Sequence, residues 1–148
     1  SGFRYTLVKG EDPLGLAEHA KSKLLMDGEF HHGDAWQLAT FDTDSPDAIV
    51  MLYQAFDSPG RAPDLYLSAA PNISIGDLVD GEKSASKHGG LTRDETWSTV
   101  AFAGTDIAPS TVTTARNIDV VPTMLNLLNQ PFDAEKIDGK VLKLDGSD

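Results

Sequence analysis

DLYLSAA, residues 64–70, and TVAFA, residues 99–103, decide the predicted fold, because both runs have the length and apolar content of buried strands. The second run ends at Gly104, and the β-branched residues 111–114 predict a third strand. A polar stretch over residues 71–95 separates the first two runs. It predicts a long loop, and long loops in compact domains often carry function.

Helical patterns alternate with these strands. Residues 13–25 begin with a proline at the favoured first position and continue with a stripe of leucine and alanine. Asp44-Ser45-Pro46 predicts the start of a second helix, whose apolar residues fall at i, i+3, i+4 and i+7. Residues 36–41 predict a short helix, and residues 120–128 predict an amphipathic helix that is capped near Asp119.

The alternation predicts an α/β fold, with helices packed on a mostly parallel sheet. Asp138-Gly139 lies between Lys136-Ile137 and Lys140-Val141-Leu142 and predicts a small C-terminal hairpin with a type I′ turn. A length of 148 residues is that of one domain, spanning residues 1–148.

The composition of the chain argues against several classes of binding partner and of metal or catalytic site. The formal net charge of −11 repels phosphate backbones and anionic lipid, which argues against nucleic-acid and membrane binding. The absence of cysteine excludes disulfides, cysteine-based zinc sites and cysteine nucleophiles. The sequence has neither a signal peptide pattern nor an apolar run long enough to span a bilayer, and it leaves bacterial cytoplasm, periplasm and secretion open.

The candidate metal-binding residue lies in the segment KHGGLTRDE, residues 87–95. His88 precedes two glycines, which let a backbone approach a ligand closely, in a loop between two predicted strands. A neutral imidazole there binds zinc if an acceptor orients its other nitrogen, and Asp94 or Glu95 is the expected acceptor. A solvated turn histidine is the alternative, since a zinc site needs three or four protein ligands.

HGGLTRDE (88–95), VAFAG (100–104) and ARNIDVVPTMLNLL (115–128) together resemble the C-terminal pattern of the alkaline phosphatase superfamily. That superfamily includes phosphatases, type I phosphodiesterases/nucleotide pyrophosphatases, sulfatases and cofactor-independent phosphoglycerate mutases. The resemblance is strongest over residues 64–144 and weaker over residues 5–60. It implies a partial alkaline-phosphatase-like fold, in which the chain is the C-terminal portion of a larger hydrolase domain.

The resemblance also implies roles for individual residues. His88 matches the last zinc-binding histidine of the superfamily, whereas Arg116 and Asp119 match structural positions. The Thr or Ser nucleophile and the other metal ligands, which include an Asp-His pair, belong to segments that normally precede this portion. The chain has no Asp-His dipeptide. We therefore expect this chain to contain no catalytic residue, and we expect the isolated chain to be inactive.

Several alternatives remain open at this level. The substrate is a phosphate or sulfate ester, and zinc is the expected metal, although branches of the superfamily also use manganese, calcium or magnesium. Trp97 is near His88 in sequence and is a candidate to line a substrate pocket. His31-His32 is expected to be a polar loop, because adjacent side chains diverge too far for joint ligation. A non-catalytic binding or assembly module and an unrelated α/β domain are the competing interpretations.

Removing part of a central sheet would expose a strand edge. An uncovered edge is a template for pairing with another chain, so the fragment interpretation predicts self-association through an exposed sheet edge.

Overall fold

The computed structural model describes residues 2–57, 59–70, 73, 89–105 and 107–145. The chain divides into two compact units, unit 1 (Ser1–Trp97) and unit 2 (Ser98–Asp148). Each unit is built from short helices.

Among its described residues, unit 1 has a two-stranded sheet and four α-helices, with a 3-10 turn at Leu16–Glu18. In chain order these are β1 (Gly2–Phe3), α1 (Ala20–Leu24), β2 (His31–His32), α2 (Gly33–Thr40), α3 (Ala48–Phe56) and α4 (Arg93–Thr96). Unit 2 contains α5 (Val120–Leu127), with 3-10 turns at Asn117–Asp119 and Ala134–Lys136.

The predicted α/β fold with a mostly parallel sheet is wrong. The sheet that the described residues form has two antiparallel strands, in which Gly2 pairs with His32 and Phe3 with His31. Residues 64–70, 99–103 and 111–114 are not strands. Leu65 and Leu67 are 70% and 69% exposed, so the run that was expected to be buried is not. A short apolar run does not indicate which segment would pair with it as a neighbouring strand. Within the described ranges, no segment pairs with any of these three runs.

The prediction of a C-terminal hairpin is also wrong. Side-chain oxygens accept the hydrogen bonds from backbone N–H groups that the two strands of a hairpin would otherwise use to pair. Asp138-Gly139 forms a bend with no strand on either side. The Lys140 N–H donates to Asp119 Oδ1 at 2.9 Å, and the Leu142 N–H donates to Thr123 Oγ1 at 3.0 Å. The chain therefore returns to the start of α5 instead of pairing with itself.

The helix predictions agree with the structure more closely than the strand predictions do. Helices α3 and α5 lie where the 3.6-residue period placed them. Helix α2 overlaps the short helix expected over residues 36–41 but begins three residues earlier. The predicted helix over residues 13–25 is split, because His19 has the extended angles φ −100° and ψ 127° between the Leu16–Glu18 turn and α1. His31-His32, predicted as a polar loop, forms β2.

The core of unit 1 is one hydrophobic cluster under β1. Leu16, Trp36, Ile49 and Val50 are buried together, and Phe3 packs against them. The indole Nε1–H of Trp36 donates to the Phe3 carbonyl at 2.9 Å, which satisfies the polar end of a buried aromatic ring.

The loop before α1 is held by a tyrosine–aspartate pair. Tyr5 Oη donates to Asp12 Oδ1 at 2.7 Å, and the Ala17 N–H donates to Asp12 Oδ2 at 2.7 Å. Burial and the Asp12 carboxylate together raise the pKa of Tyr5 to about 12. Burial alone would raise the pKa of Asp12, but the hydrogen bonds from Ala17 and Tyr5 outweigh it and lower that pKa.

Unit 2 is organised by the buried carboxylate of Asp119, which is 2% exposed. Asp119 Oδ2 accepts the Arg116 N–H at 2.8 Å, while Oδ1 accepts the Lys140 N–H. Thr123 Oγ1 donates to the Asp119 carbonyl at 2.6 Å and accepts from Leu142. Gly139 lies against the Ile118 carbonyl, where a Cβ would come within 2.9 Å of the Asp119 nitrogen.

We predict that Thr123→Val loosens the C-terminal segment of unit 2. The isosteric change leaves the buried Leu142 N–H without an acceptor, which costs about 1–3 kcal/mol. Exchange of the Leu142 amide proton, followed by NMR, should accelerate roughly tenfold or more. Thr111→Val at an exposed site of the same unit is the control, and equal Leu142 exchange in both variants would contradict this account.

Candidate functional site

His88 lies outside the described residues, and the described part of its loop begins at Gly89. Gly89 has φ +105°, a conformation that glycine adopts without strain. Its carbonyl accepts a long hydrogen bond of 3.4 Å from Tyr66 Oη. Gly90 packs against the Glu95 carboxylate, which occupies the space that a Cβ would need. The backbone conformation therefore favours glycine at position 89, whereas a side chain at position 90 would displace the exposed Glu95 carboxylate.

Glu95 has a local role in this loop. Thr92 Oγ1 donates to Glu95 Oε2 at 3.0 Å, and the Glu95 N–H donates to the Thr92 carbonyl at 3.0 Å. Both bonds fix the entry into α4. Asp94 is exposed in the first turn of the same helix, where a carboxylate is favourable. The proposed orientation of His88 by Glu95 or Asp94 stays a prediction.

Arg93 attaches α4 to the segment between α2 and α3. Its Nε and Nη2 donate to the Thr43 carbonyl at 3.0 and 2.9 Å, and Nη2 also donates to the Asp42 carbonyl. Its backbone N–H donates to the Asp44 carbonyl at 3.0 Å. A guanidinium offers five donors in a planar fork, so one side chain can bind neighbouring carbonyls together.

The segment whose carbonyls Arg93 binds is itself anchored by buried hydroxyls. Thr43 Oγ1 donates to the Thr40 carbonyl at 2.8 Å, and Thr40 Oγ1 donates to the Trp36 carbonyl at 2.8 Å. Thr40 and Thr43 are each 1% exposed. The contact between α4 and residues 42–44 therefore rests on the core of unit 1.

Trp97 completes this attachment. Its ring stacks on Phe41 with centroids 4.8 Å apart, and the Arg93 guanidinium carbon lies 4.8 Å from its centroid. Trp97 remains 47% exposed. The side chain therefore anchors the loop, and its predicted role in a substrate pocket stays a prediction.

Sequence reasoning missed the partners of Arg93 and Trp97. Arg93 is separated from Thr43 by 50 residues, and neither segment carries a local pattern that indicates the other. The one available signal was composition, since Arg93 begins a four-residue helix in a polar region and Trp97 follows it directly.

His31 and His32 form separate pairs with carboxylates. His31 Nε2 lies 2.8 Å from Asp27 Oδ1, and this hydrogen bond is the main cause that lowers the pKa of Asp27. His32 Nδ1 lies 3.7 Å from Asp34 Oδ2. Within the described ranges, no group of three or more His, Asp or Glu side chains is arranged to hold a metal ion.

No family model, curated protein or solved structure matches the chain. In the part of the chain that the structure describes, no helix combines the length and the apolar character needed to cross a bilayer.

We predict that Arg93→Lys destabilises unit 1 by about 1–2 kcal/mol, because an ammonium cannot reproduce the fork that binds two carbonyls. Both tryptophans lie in unit 1, so urea unfolding followed by tryptophan fluorescence reports on that unit. The midpoint should fall, and native emission should shift to the red as Trp97 leaves Phe41.

Arg61→Lys, at an exposed position of the same unit, is the matched control. A midpoint in Arg93→Lys equal to that of the control would show that the guanidinium contacts contribute nothing to stability.

Proposed function

We propose that the chain is the C-terminal part of a metal-dependent phosphoester hydrolase, a phosphatase or phosphodiesterase of the alkaline phosphatase superfamily, and that His88 is one of its zinc ligands. The motif string over residues 88–128 supports this proposal. The reaction class would be transfer of a phosphoryl group to a Thr or Ser and then to water, with the nucleophile outside this chain.

The observation that carries the proposal is the attachment directly after the His-Gly-Gly motif. Four hydrogen bonds from Arg93 and the Phe41–Trp97 stack hold α4, whose first residue lies three positions beyond Gly90. A metal ligand next to two glycines needs such a fixed end, because productive sites tolerate displacements of only about 0.5 Å.

The chemistry of the described residues bears on how many zinc ligands they supply. They do not fit a complete zinc site, since no three suitable side chains converge among them. The proposal therefore assigns the remaining ligands to other residues, and we derive no catalytic step from this chain.

A second candidate is a non-catalytic binding or assembly module derived from the same superfamily. It is favoured by the lack of an Asp-His dipeptide in the whole sequence, since that pair belongs to the metal site of the family. The two candidates differ in whether His88 interacts with metal.

Zinc titration against a competing chelator tests the proposal. We expect the chain to bind zinc weakly, with a dissociation constant above roughly 1 µM, because it supplies an incomplete site. In NMR spectra at higher zinc, the imidazole of His88 should respond before His19, His31 and His32, and His88→Ala should abolish the first response.

His32→Ala is the control, because His32 is exposed and close to Asp34. Zinc that binds first at His31 or His32, and is unaffected by His88→Ala, would refute the ligand assignment. Tight binding that is lost in His88→Ala would instead show that the chain holds a complete site, and the claim that it is only part of one would fail.

A further inference from the structure

We propose that Asp138-Gly139 is a modification site, where Asp138 isomerises spontaneously to isoaspartate and thereby releases the C-terminal segment of unit 2 from Asp119. The C-terminal segment is residues 137–145. The site is independent of the proposed hydrolase function, because it involves neither His88 nor a metal ion.

The reaction releases a water molecule and then consumes one. The Gly139 backbone nitrogen attacks Asp138 Cγ, an N–Cγ bond forms, and the proton of the nitrogen leaves with the carboxyl hydroxyl as water. Water then opens the resulting succinimide at either of its C–N bonds. Breaking the bond to Cγ restores aspartate, whereas breaking the bond to the main-chain carbonyl carbon leaves isoaspartate. The mass of the chain is unchanged, and no oxidant or reductant takes part.

The residue after Asp138 makes this reaction accessible. Glycine has no Cβ, so its nitrogen can approach the preceding carboxyl group without steric hindrance. Asp138 is exposed, and among the described residues its carboxylate has no hydrogen bond or ion pair. The sequence contains Asp-Gly four times. Both residues are described at 27–28 and 138–139, whereas the pairs at 80–81 and 145–146 include residues outside the described ranges.

Asp27-Gly28 in unit 1 is the matched pair, and its carboxylate is held. Asp27 Oδ1 lies 2.8 Å from His31 Nε2 and accepts the Glu29 N–H at 2.9 Å. These hydrogen bonds, that of His31 first, lower the pKa of Asp27. Its carboxyl group therefore carries the hydroxyl that must leave less often than an ordinary aspartate does, and it is not free to turn toward the next nitrogen.

Gly139 is packed so closely that the structure has no room for a longer backbone at this point. It lies against the Ile118 carbonyl, and even a Cβ would clash with that oxygen. Isoaspartate inserts one additional atom, Cβ, into the main chain just before Gly139. Gly139 therefore has to move away from Ile118, and the residues that follow it move as well.

This displacement acts on two hydrogen bonds that hold the C-terminal segment. The Lys140 N–H donates to Asp119 Oδ1 at 2.9 Å, and the Leu142 N–H donates to Thr123 Oγ1 at 3.0 Å. Asp119 is 2% exposed, so the loss of the Lys140 donor leaves a buried oxygen short of a partner. The modified segment therefore opens more often than the unmodified one.

The same contacts limit how fast the folded chain reacts. The Gly139 nitrogen must turn toward the carboxyl group, and its packing against Ile118 hinders that rotation. Cyclisation therefore proceeds when the segment opens locally. Thr123→Val, which removes the acceptor of the Leu142 N–H, should accelerate the reaction at Asp138 and leave Asp27 unaffected.

Chromatography of tryptic peptides from the aged chain tests the site. The full chain is kept folded at neutral pH for several weeks, and trypsin then releases peptide 137–140. Its isoaspartyl form has the same mass, elutes separately and is identified by electron-transfer fragmentation. We expect the isoaspartate fraction at Asp138 to be several times that at Asp27, and to be larger still in Thr123→Val.

A parallel sample in urea gives the reactivity of the sequence without the fold. There the two pairs should isomerise to similar extents, because neither carboxylate is held. Asp138→Glu is the control variant, since its longer side chain would have to close a larger, less favourable ring. Equal isoaspartate at Asp27 and Asp138 in the folded chain, or none at Asp138, would overturn the proposal.

Amide exchange followed by NMR tests the release of the segment. In the aged chain, a second population as large as the isoaspartate fraction should exchange its Lys140 and Leu142 amides roughly tenfold faster or more, as expected when hydrogen bonds to buried groups are lost. Aged Asp138→Glu should not develop this population. An isomerised chain whose two amides exchange as slowly as before would overturn the claim that the modification releases the segment.

Discussion

The carboxylate of Asp119 accepts backbone hydrogen bonds from both sides of α5, and unit 2 depends on these two bonds. Arg116 N–H comes from the segment before the helix, and Lys140 N–H comes from the segment that returns after it. Thr123, one turn further along, holds Leu142 in the same way. A buried carboxylate is stable only when its oxygens accept hydrogen bonds. The burial of Asp119 therefore requires the C-terminal segment to pass close enough to donate one, and that hydrogen bond in turn fixes the path of the segment.

In unit 1, polar side chains likewise form hydrogen bonds with the backbone, and they do so around a larger apolar cluster. Thr40 and Thr43 bind backbone carbonyls beneath the segment between α2 and α3, and Arg93 binds that segment from the outside. Polar side chains that contact backbone thus position α4 in unit 1 and the C-terminal segment in unit 2. Among the described residues, these polar contacts add to a small set of buried hydrophobic side chains.

The sequence predicted the helices well and the sheet badly, and the difference is physical. A helix such as α3 satisfies its own hydrogen bonds, so its apolar period suffices to indicate it. A strand such as residues 64–70 needs a partner that the run itself does not specify. The contacts of the candidate site could not be predicted from the sequence, because those of Arg93 depend on residues 50 positions away.

Under the proposed function, unit 1 would contribute a segment with two glycines and a fixed end to a hydrolase. The proposed function assigns the nucleophile and the remaining metal ligands to the same longer polypeptide. Peptide mapping by mass spectrometry of the natural protein that contains this sequence tests that claim most directly. We predict a longer chain that includes a Thr or Ser nucleophile segment and an Asp-His pair. A natural protein made only of these 148 residues would contradict it.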